Sequence, residues 1–293
     1  MALQAQLALR GLFVINGKEP DGDSVRFRAD NPELYRSLQR SYRIQPSRDG
    51  TVQLRLEGVD APELHYGDFA QPLGDTARDA LLARLGFTHI RFQGTKVQDA
   101  DPPEGIRGAI LTKGAETNGR PVSYALLEAD SAGLEDGAVV VVDRGLLERT
   151  LNHWLLRTGT SYYTVYTSTP FKDRRILREA ALAARGAGLG VWGIDSTSQF
   201  RLRSQQDIGP QGQLILPKLF RRGTDYLKDL AAGHFAGNLA DWLVWRSRSP
   251  TRAEDDRVVL QDHTEVSLSA LLNQRNDRVA LEADLLDIMF VEK

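Results

Sequence analysis

The chain has 293 residues, of which 41% are hydrophobic and 26% are charged, so it can form the core of one large or two modest domains. Its formal net charge of −2 excludes a protein that adheres to nucleic acid through overall charge, while allowing a local basic patch. Cysteine is absent, which excludes disulfide bonds and thiolate metal sites. The five histidines are scattered and show no zinc-binding spacing.

The apolar segments predict neither a membrane span nor a secretion signal. No uninterrupted apolar run approaches the roughly 18 residues that a membrane-spanning helix needs. Arg10 interrupts the apolar N-terminal stretch at a point where a signal peptide would be continuously apolar. We therefore expect a cytoplasmic protein that does not associate with membranes.

The pattern of the first hundred residues predicts short strands joined by loops, together with one helix. Residues 11–16 and 24–28 are typical of strands, and the arginine-rich segment 31–50 is interpreted as an excursion between strands. Residues 51–59 alternate between apolar and polar types, which predicts a half-buried strand. Residues 74–87 carry an apolar stripe and end at a glycine, which predicts a helix.

The second half of the chain contains more helical patterns. The leucine and alanine spacing predicts helices over 146–159 and 173–188. A further helix is predicted to open near Ser267, in the stretch "SLSALLNQ". The polar stretch 196–213 has no periodicity, so we place a domain boundary there, with domains at 1–197 and 198–293. The first domain is predicted to be an α+β fold with a small β-barrel, and the second to be smaller and mostly helical.

Acidic side chains stand at two predicted turns. The stretch "PDGDSVRF" contains Asp21 and Asp23, and "RLEGVDAPE" contains Arg55, Asp60 and Glu63. Each stretch alone is also typical of an ordinary turn. Arg55 and Asp60 are five residues apart, so a regular strand would direct them to opposite faces unless it bends near Gly58.

These residues together predict phosphodiester chemistry. Two aspartates from different strands suit a hard cation such as Ca²⁺, which takes carboxylate and carbonyl oxygens. Arginines such as Arg55 and Arg120 suit a phosphate, because the guanidinium matches its geometry and keeps its charge. A separate glutamate could activate a water molecule. A metal ion and arginines would offset the charge that develops on phosphorus.

The order of six motifs resembles the staphylococcal nuclease (thermonuclease) family over roughly residues 10–195. The motifs are "DGDSV", "RLEGVDAPE", "QPLGDTARDALLARL", "NGRPVSY", "LNHWLLRTGTSYYTVY" and "REAALAARGAGLGVW". The resemblance implies a five-stranded OB-type β-barrel with three helices. It also implies a Ca²⁺-dependent nuclease that hydrolyses DNA, RNA or both.

The resemblance also implies roles for individual residues. The implied metal ligands are the carboxylates of Asp23 and Asp60 and the backbone carbonyl of Ala61. Glu63 matches the general base, and Arg55 and Arg120 match the two phosphate-binding arginines. Arg107 also precedes a strand and is the alternative to Arg120. Tyr166 matches a tyrosine near the bound nucleotide, Tyr163 of the same aromatic cluster is a further substrate-binding candidate, and Trp192 matches the tryptophan that closes the last helix.

Parts of the chain depart from the minimal family pattern. Segments 31–50, 95–118 and 129–145 look inserted, and residues 198–293 have no counterpart. We expect 198–293 to serve in targeting, binding a protein partner or self-association. The alternative for the whole chain is a non-catalytic module that binds nucleic acid or a protein.

Two arginine-rich stretches are candidates for binding surfaces. Residues 26–48 contain six arginines against two acidic residues, so we expect Arg36, Arg40 and Arg43 to contact substrate phosphates, unless they are simply solvated. A second stretch, "LILPKLFRRGTDYLKDL", places Arg221 and Arg222 beside an apolar stripe. This stretch fits either a core-packing helix or a basic docking face.

Overall fold

The computed structural model of the chain describes residues 5–248 and 254–292. The protein has a mixed α+β fold in which several helices surround a nearly closed, barrel-like sheet. The strands are β1 (Ala5–Val14), β2 (Arg26–Ala29), β3 (Val52–Gln53), β4 (Arg55–Leu56), β5 (Val59–Asp60), β6 (Thr88–Gln93), β7 (Lys96–Asp101), β8 (Ile106–Ala115), β9 (Pro121–Leu127), β10 (Val139–Val141), β11 (Tyr162–Tyr163), β12 (Gln199–Arg201), β13 (Arg257–Val259), β14 (Glu265–Ser267), β15 (Leu272–Arg275), β16 (Arg278–Leu281) and β17 (Met289–Phe290). The α-helices are α1 (Gly74–Leu85), α2 (Arg144–Glu148), α3 (Leu151–Arg157), α4 (Phe171–Gly186), α5 (Pro217–Ala231) and α6 (Leu239–Arg246).

The largest sheet curves back on itself through the segment that contains β3 and β4. Its strand order is β3-β2-β1-β8-β9-β4, with β10 also paired to β1. Only Leu54 separates β3 from β4, yet these two strands stand at opposite ends of that order. The chain pairs with β2 before Leu54 and with β9 after it. This switch of partner brings the two ends of the sheet together and makes it nearly closed and barrel-like.

The predicted strand over 51–59 is interrupted twice. Its alternation is correct, because Val52, Leu54 and Leu56 are buried in the core as predicted. The chain then turns at Glu57 and Gly58 before β5 begins. Gly58 has a positive φ of 79°, a conformation that glycine adopts without strain.

The three helices predicted before residue 197 are found, and one of them is divided into two shorter helices. The helix predicted over 74–87 is α1 and ends at Gly86, and the one predicted over 173–188 is α4. The pattern over 146–159 forms two helices, because the Thr150 side chain accepts a hydrogen bond from the His153 N–H and caps a new helix there. Within the described ranges, no helix has the length and apolarity required to cross a bilayer.

The prediction that residues 198–293 are mostly helical is wrong. The described part of this region contains α5 and α6 together with two three-stranded sheets, ordered β12-β16-β15 and β14-β13-β17. A helix was predicted to open near Ser267, but the chain there forms a single 3₁₀ turn and then strand β15. Asn276 adopts a positive φ of 56° and allows the tight β15–β16 hairpin, which outweighs the local helical pattern.

Two apolar cores lie side by side. The barrel core contains Phe13, Phe27, Leu54, Leu81 and Leu177, among others, and fills the space between the sheet and helices α1, α3 and α4. The C-terminal core contains Phe200, Phe220 and Trp242, together with Tyr162 and Val191 from the preceding region. Since residues before 197 contribute to the C-terminal core, the two regions are tightly packed on each other.

Polar contacts also join the barrel to residues 198–292. Gln71 donates from Nε2 to the Ile215 carbonyl over 2.7 Å, and the Tyr66 hydroxyl donates to Asp225 over 2.5 Å. Residue Tyr166 forms a parallel bridge with Phe290 of β17. These contacts hold α5 and β17 against the end of the barrel that carries Asp60. The domain boundary after residue 197 stays a prediction.

Candidate active site

Four carboxylates gather at one end of the barrel and form what we call the carboxylate site. Asp21 and Asp23 lie in the loop before β2, Asp60 ends β5, and Glu63 follows it. Oδ2 of Asp23 accepts a hydrogen bond of 3.2 Å from the Ala61 N–H, which links the two segments directly. The motifs assign no specific role to Asp21, but the fold brings it into the same cluster as Asp23, Asp60 and Glu63.

The negative charges of the carboxylate site are incompletely offset. Desolvation and the neighbouring charge of Asp23 raise the pKa of Asp21 to about 8. Desolvation and Asp60 raise the pKa of Asp23, while Arg55 and the Ala61 N–H lower it in part. Carboxylates that share a small space in this way favour either protons or an added cation.

The turn at Gly58 brings Arg55 to the same site as Asp60. The predicted bend is confirmed, because β4 ends at Leu56 and β5 starts only after the turn. A side chain on Gly58 would lie 2.6 Å from Leu177 Cδ1, so the turn packs directly against α4. Desolvation lowers the pKa of Arg55, but Tyr166, Asp60 and Asp23 together raise it by more. Arg55 and the aspartates are therefore electrostatic neighbours.

Tyr166 lies beside Arg55. The Arg55 Nη2 donates a 3.0 Å hydrogen bond to the Tyr166 hydroxyl, and the guanidinium carbon lies 5.0 Å from the ring centroid. Desolvation raises the pKa of Tyr166, but Lys218 and Arg55 lower it by more. Tyr163, in contrast, is 5% exposed, belongs to the barrel core and donates to the Arg174 carbonyl over 3.3 Å. The structure does not bring Tyr163 together with the carboxylates.

Arg120 and Arg107 occupy different surroundings. Arg120 lowers the pKa of Asp23, and its Nε lies 3.1 Å from Glu116. Both Nη atoms of Arg107 donate to Asp30 over 2.7 Å on the exposed surface. This geometry favours Arg120 over Arg107 as the second arginine of the site.

Of the arginines predicted to contact substrate in segment 31–50, Arg43 is the one that shares a cavity with Arg120. Arg36 is 81% exposed and forms an ion pair with Glu33, while Arg40 lies in a left-handed turn with φ 55°. Arg43 donates to the Thr117 carbonyl over 2.7 Å and lines a cavity of about 550 Å³. Its neighbours in that cavity include Arg26, Arg120 and the 77% exposed Tyr42. Of the three insert arginines, Arg43 lies beside Arg120.

The C-terminal region supplies a cation, Arg221, that the motifs did not predict to lie in the site. Both Nη atoms of Arg221, on α5, donate to Asp60, at 3.4 Å to Oδ1 and 3.2 Å to Oδ2. Its Nη1 also forms an ion pair with Glu63 Oε1. The only sequence feature near it was the pair of arginines beside an apolar stripe.

Glu63 is a carboxylate that titrates near neutral pH. Desolvation raises the pKa of Glu63 to about 7, against the lowering effect of Arg221 and with added repulsion from Asp60 and Asp23. Its backbone N–H donates to Gln71 Oε1 over 3.1 Å, which fixes the start of the following loop. A proton acceptor with such a value is suited to general-base chemistry at physiological pH.

Glu57 is a buried carboxylate that lies close to the carboxylate site but is not part of it. It lines a cleft of about 310 Å³ between the barrel and α5, together with Arg55, Tyr166 and Lys218. The Thr169 hydroxyl donates to Glu57 Oε1 over 2.5 Å. Desolvation raises the pKa of Glu57, while the Thr169 hydrogen bond and the charge of Lys113 oppose this shift.

This raised pKa predicts a pH-dependent gain in stability for Glu57→Gln. Above the ordinary value of 4.5, the folded chain holds a proton that the unfolded chain has released, so the free energy of unfolding falls as pH rises through the folded pKa. Glutamine cannot titrate and can still accept the Thr169 hydrogen bond. We expect the stability of the variant relative to wild type to increase as pH rises above about 4.5, by about 1.4 kcal/mol per unit of pKa shift.

Urea unfolding at several pH values checks this expectation. The matched control is Glu135→Gln, because Glu135 is exposed and its neutralisation should leave the pH profile unchanged. A constant difference between Glu57→Gln and wild type across the pH range would contradict the expectation.

The donors of the carboxylate site fit Ca²⁺ in their chemistry. The carboxylates of Asp23 and Asp60 and the carbonyl of Ala61 are hard oxygen donors, and the raised pKa of Asp23 marks negative charge that a cation would offset. Among the described residues, however, no group of three or more acidic or histidine side chains is arranged to hold a metal ion. Asp60 and Glu63 contact Arg221 instead.

Two comparisons with known proteins identify no relative of this chain. A scan against models of known protein families finds no match to this chain, and a search of curated proteins finds none either. The membership of the staphylococcal nuclease family therefore stays a prediction from the motifs. The function must be inferred from the residues of the site.

Proposed function

We propose that the protein is a Ca²⁺-dependent nuclease that hydrolyses the phosphodiester bonds of DNA, RNA or both by metal-assisted attack of water. The observation that carries the proposal is the convergence of Asp23, Asp60, Glu63 and Arg55 at one end of the barrel. A general base, hard oxygen donors and a fixed cation are the groups that phosphodiester hydrolysis requires.

Each residue has a role in this proposal. Asp23, Asp60 and the Ala61 carbonyl would hold Ca²⁺, which when bound supplies Lewis-acid stabilisation of the phosphoryl oxygens. Glu63 accepts a proton from the attacking water. Arg55 binds and orients the phosphate, because its guanidinium is held by the Tyr166 hydroxyl beside the aspartates.

The cavity beside Arg120 is the proposed route of the substrate backbone. Arg26, Arg43 and Arg120 present three positive charges around it. Phosphate contacts by arginine supply affinity without sequence preference. Exposed Tyr42 at the same cavity offers an aromatic face on which a base can stack. These local charges would compensate for the net charge of −2.

We also propose that the sheet is an OB-type barrel. Its five principal strands would be β1, β2, the segment formed by β3 and β4, β8 and β9, which follow one another around the sheet. The support for this interpretation is the change of pairing partner at Leu54.

A digestion panel tests the proposed activity. The full chain is incubated with single-stranded DNA, duplex DNA or RNA, in the presence of Ca²⁺ or of a chelator. We expect Ca²⁺-dependent cleavage of at least one substrate, and loss of that cleavage with the chelator. The absence of Ca²⁺-dependent cleavage of all three would overturn the proposal.

A non-catalytic module is the second candidate, and the contacts of Arg221 favour it. An arginine bound to Asp60 and Glu63 turns two proposed catalytic groups into a structural ion-pair network. A folded protein that shows no hydrolysis and no thermal shift with Ca²⁺ would support this alternative.

A further inference from the structure

The proposed nuclease gives no role to the guanidinium of Arg221, which contacts two residues of the carboxylate site. We infer that Arg221 is a tethered cation that competes with the divalent cation for Asp60 and Glu63, so that this residue of α5 sets the metal affinity of the site. The inference rests on the proposed function, because it concerns the same carboxylates.

The geometry of Arg221 explains why the two cations exclude each other. The guanidinium fork contacts both carboxylate oxygens of Asp60, and one of its nitrogens also contacts Glu63. A divalent cation at Asp60 requires oxygen lone pairs that the fork already uses. A guanidinium and a dication on one carboxylate would also repel each other in a poorly solvated site.

Charge balance explains why an arginine lies against Asp60 and Glu63. The charges of Asp23, Asp60 and Glu63 repel one another and that of Asp21, and Arg55 and Arg120 offset only part of this negative charge. Arginine stays protonated under all physiological conditions, so it can supply that charge without a bound ion. Arg221 therefore supplies Asp60 and Glu63 with positive charge of the kind that a bound cation would supply.

Helix α5 is firmly anchored, so the exchange involves the Arg221 side chain and not the helix. Leu219 and Phe220, which immediately precede Arg221 on α5, are fully buried in the C-terminal core. Nζ of Lys218 lies 4.3 Å from the Phe290 ring centroid. Arg222 forms an ion pair of 3.1 Å with Asp256. The long arginine side chain can rotate away while these neighbours remain in place.

Ca²⁺ titration without nucleic acid tests the inference. Wild type, Arg221→Gln and Arg221→Lys are titrated with CaCl₂ by isothermal calorimetry, with a thermal-shift series as a second measurement. We expect Arg221→Gln to bind Ca²⁺ at least about tenfold more tightly than wild type, equivalent to about 1.4 kcal/mol. Arg221→Lys keeps the charge but loses the fork, so its affinity should fall between the two.

The control is Lys228→Gln on the same helix, because the side chain of Lys228 is half exposed and pairs with Asp225, outside the carboxylate site. It should leave the Ca²⁺ affinity unchanged. If Arg221→Gln does not fold, Arg221→Lys decides the question, and affinity equal to or weaker than wild type overturns the inference.

The outcomes separate this inference from the proposed function. Equal or weaker Ca²⁺ binding by Arg221→Gln, with wild type that binds Ca²⁺ and cleaves nucleic acid, overturns the inference alone. No Ca²⁺ binding by any of the proteins overturns both the inference and the metal-dependent function. Binding by Arg221→Gln where wild type binds weakly or undetectably supports the inference directly.

Discussion

Replacing Glu63 by glutamine is expected to slow Ca²⁺-dependent cleavage by about 10²–10⁴-fold, the range that a general base contributes. The amide has the size of the carboxyl group but cannot accept a proton from water. Its oxygen can still accept a hydrogen bond from Arg221, which contacts Glu63 in the wild-type site. We therefore expect the fold to be retained, and the loss to fall on kcat rather than on substrate binding.

Initial rates on the best substrate of the digestion panel provide the measurement. Circular dichroism and urea unfolding check that Glu63→Gln is folded. Glu135→Gln is the matched control, since it makes the same chemical change on the exposed surface and should cleave at the wild-type rate. Cleavage by Glu63→Gln within about threefold of wild type would show that Glu63 is not the general base.

The elements with strong local patterns could be predicted from the sequence. The apolar alternation of Val52, Leu54 and Leu56 and the glycine stop at Gly86 depend on neighbouring residues, and both are confirmed. Local pattern was insufficient where a cap or turn redirects the chain. Thr150 divides one predicted helix into α2 and α3, and Asn276 closes a hairpin in place of a predicted helix.

Some residues of the candidate site could likewise be related from the sequence, whereas others could not. Asp60 and Arg55 could be related from the sequence because Gly58 lies between them and allows the required turn. Arg221 contacts Asp60 across 161 residues of chain, so no spacing in the sequence could reveal the pair. The role of Tyr163 was also inaccessible, since its position in the barrel core depends on how α4 packs over β11.

The residues of the carboxylate site are positioned by both the barrel core and the C-terminal core. We therefore expect a cavity in the C-terminal core to have a large effect on the stability of the whole chain. Trp242 of α6 is fully buried in the C-terminal core, donates from Nε1 to Asp229 over 2.8 Å and packs edge-on against Tyr226 of α5 at 6.2 Å. Trp242→Ala is expected to lower the free energy of unfolding by about 3–5 kcal/mol, because it leaves a large cavity beneath the helix that carries Arg221.

The form of the unfolding transition is as informative as its midpoint. Tyr162 belongs to the C-terminal core although it pairs with Asp60 in the β5–β11 ladder. We therefore expect Trp242→Ala to unfold in urea as one transition, with a lower midpoint and an unchanged slope. The control Val244→Ala, on the same helix and 46% exposed, should change stability by less than about 1 kcal/mol. Two separate transitions would instead mean that α5, and Arg221 with it, can leave the carboxylate site while the barrel stays folded.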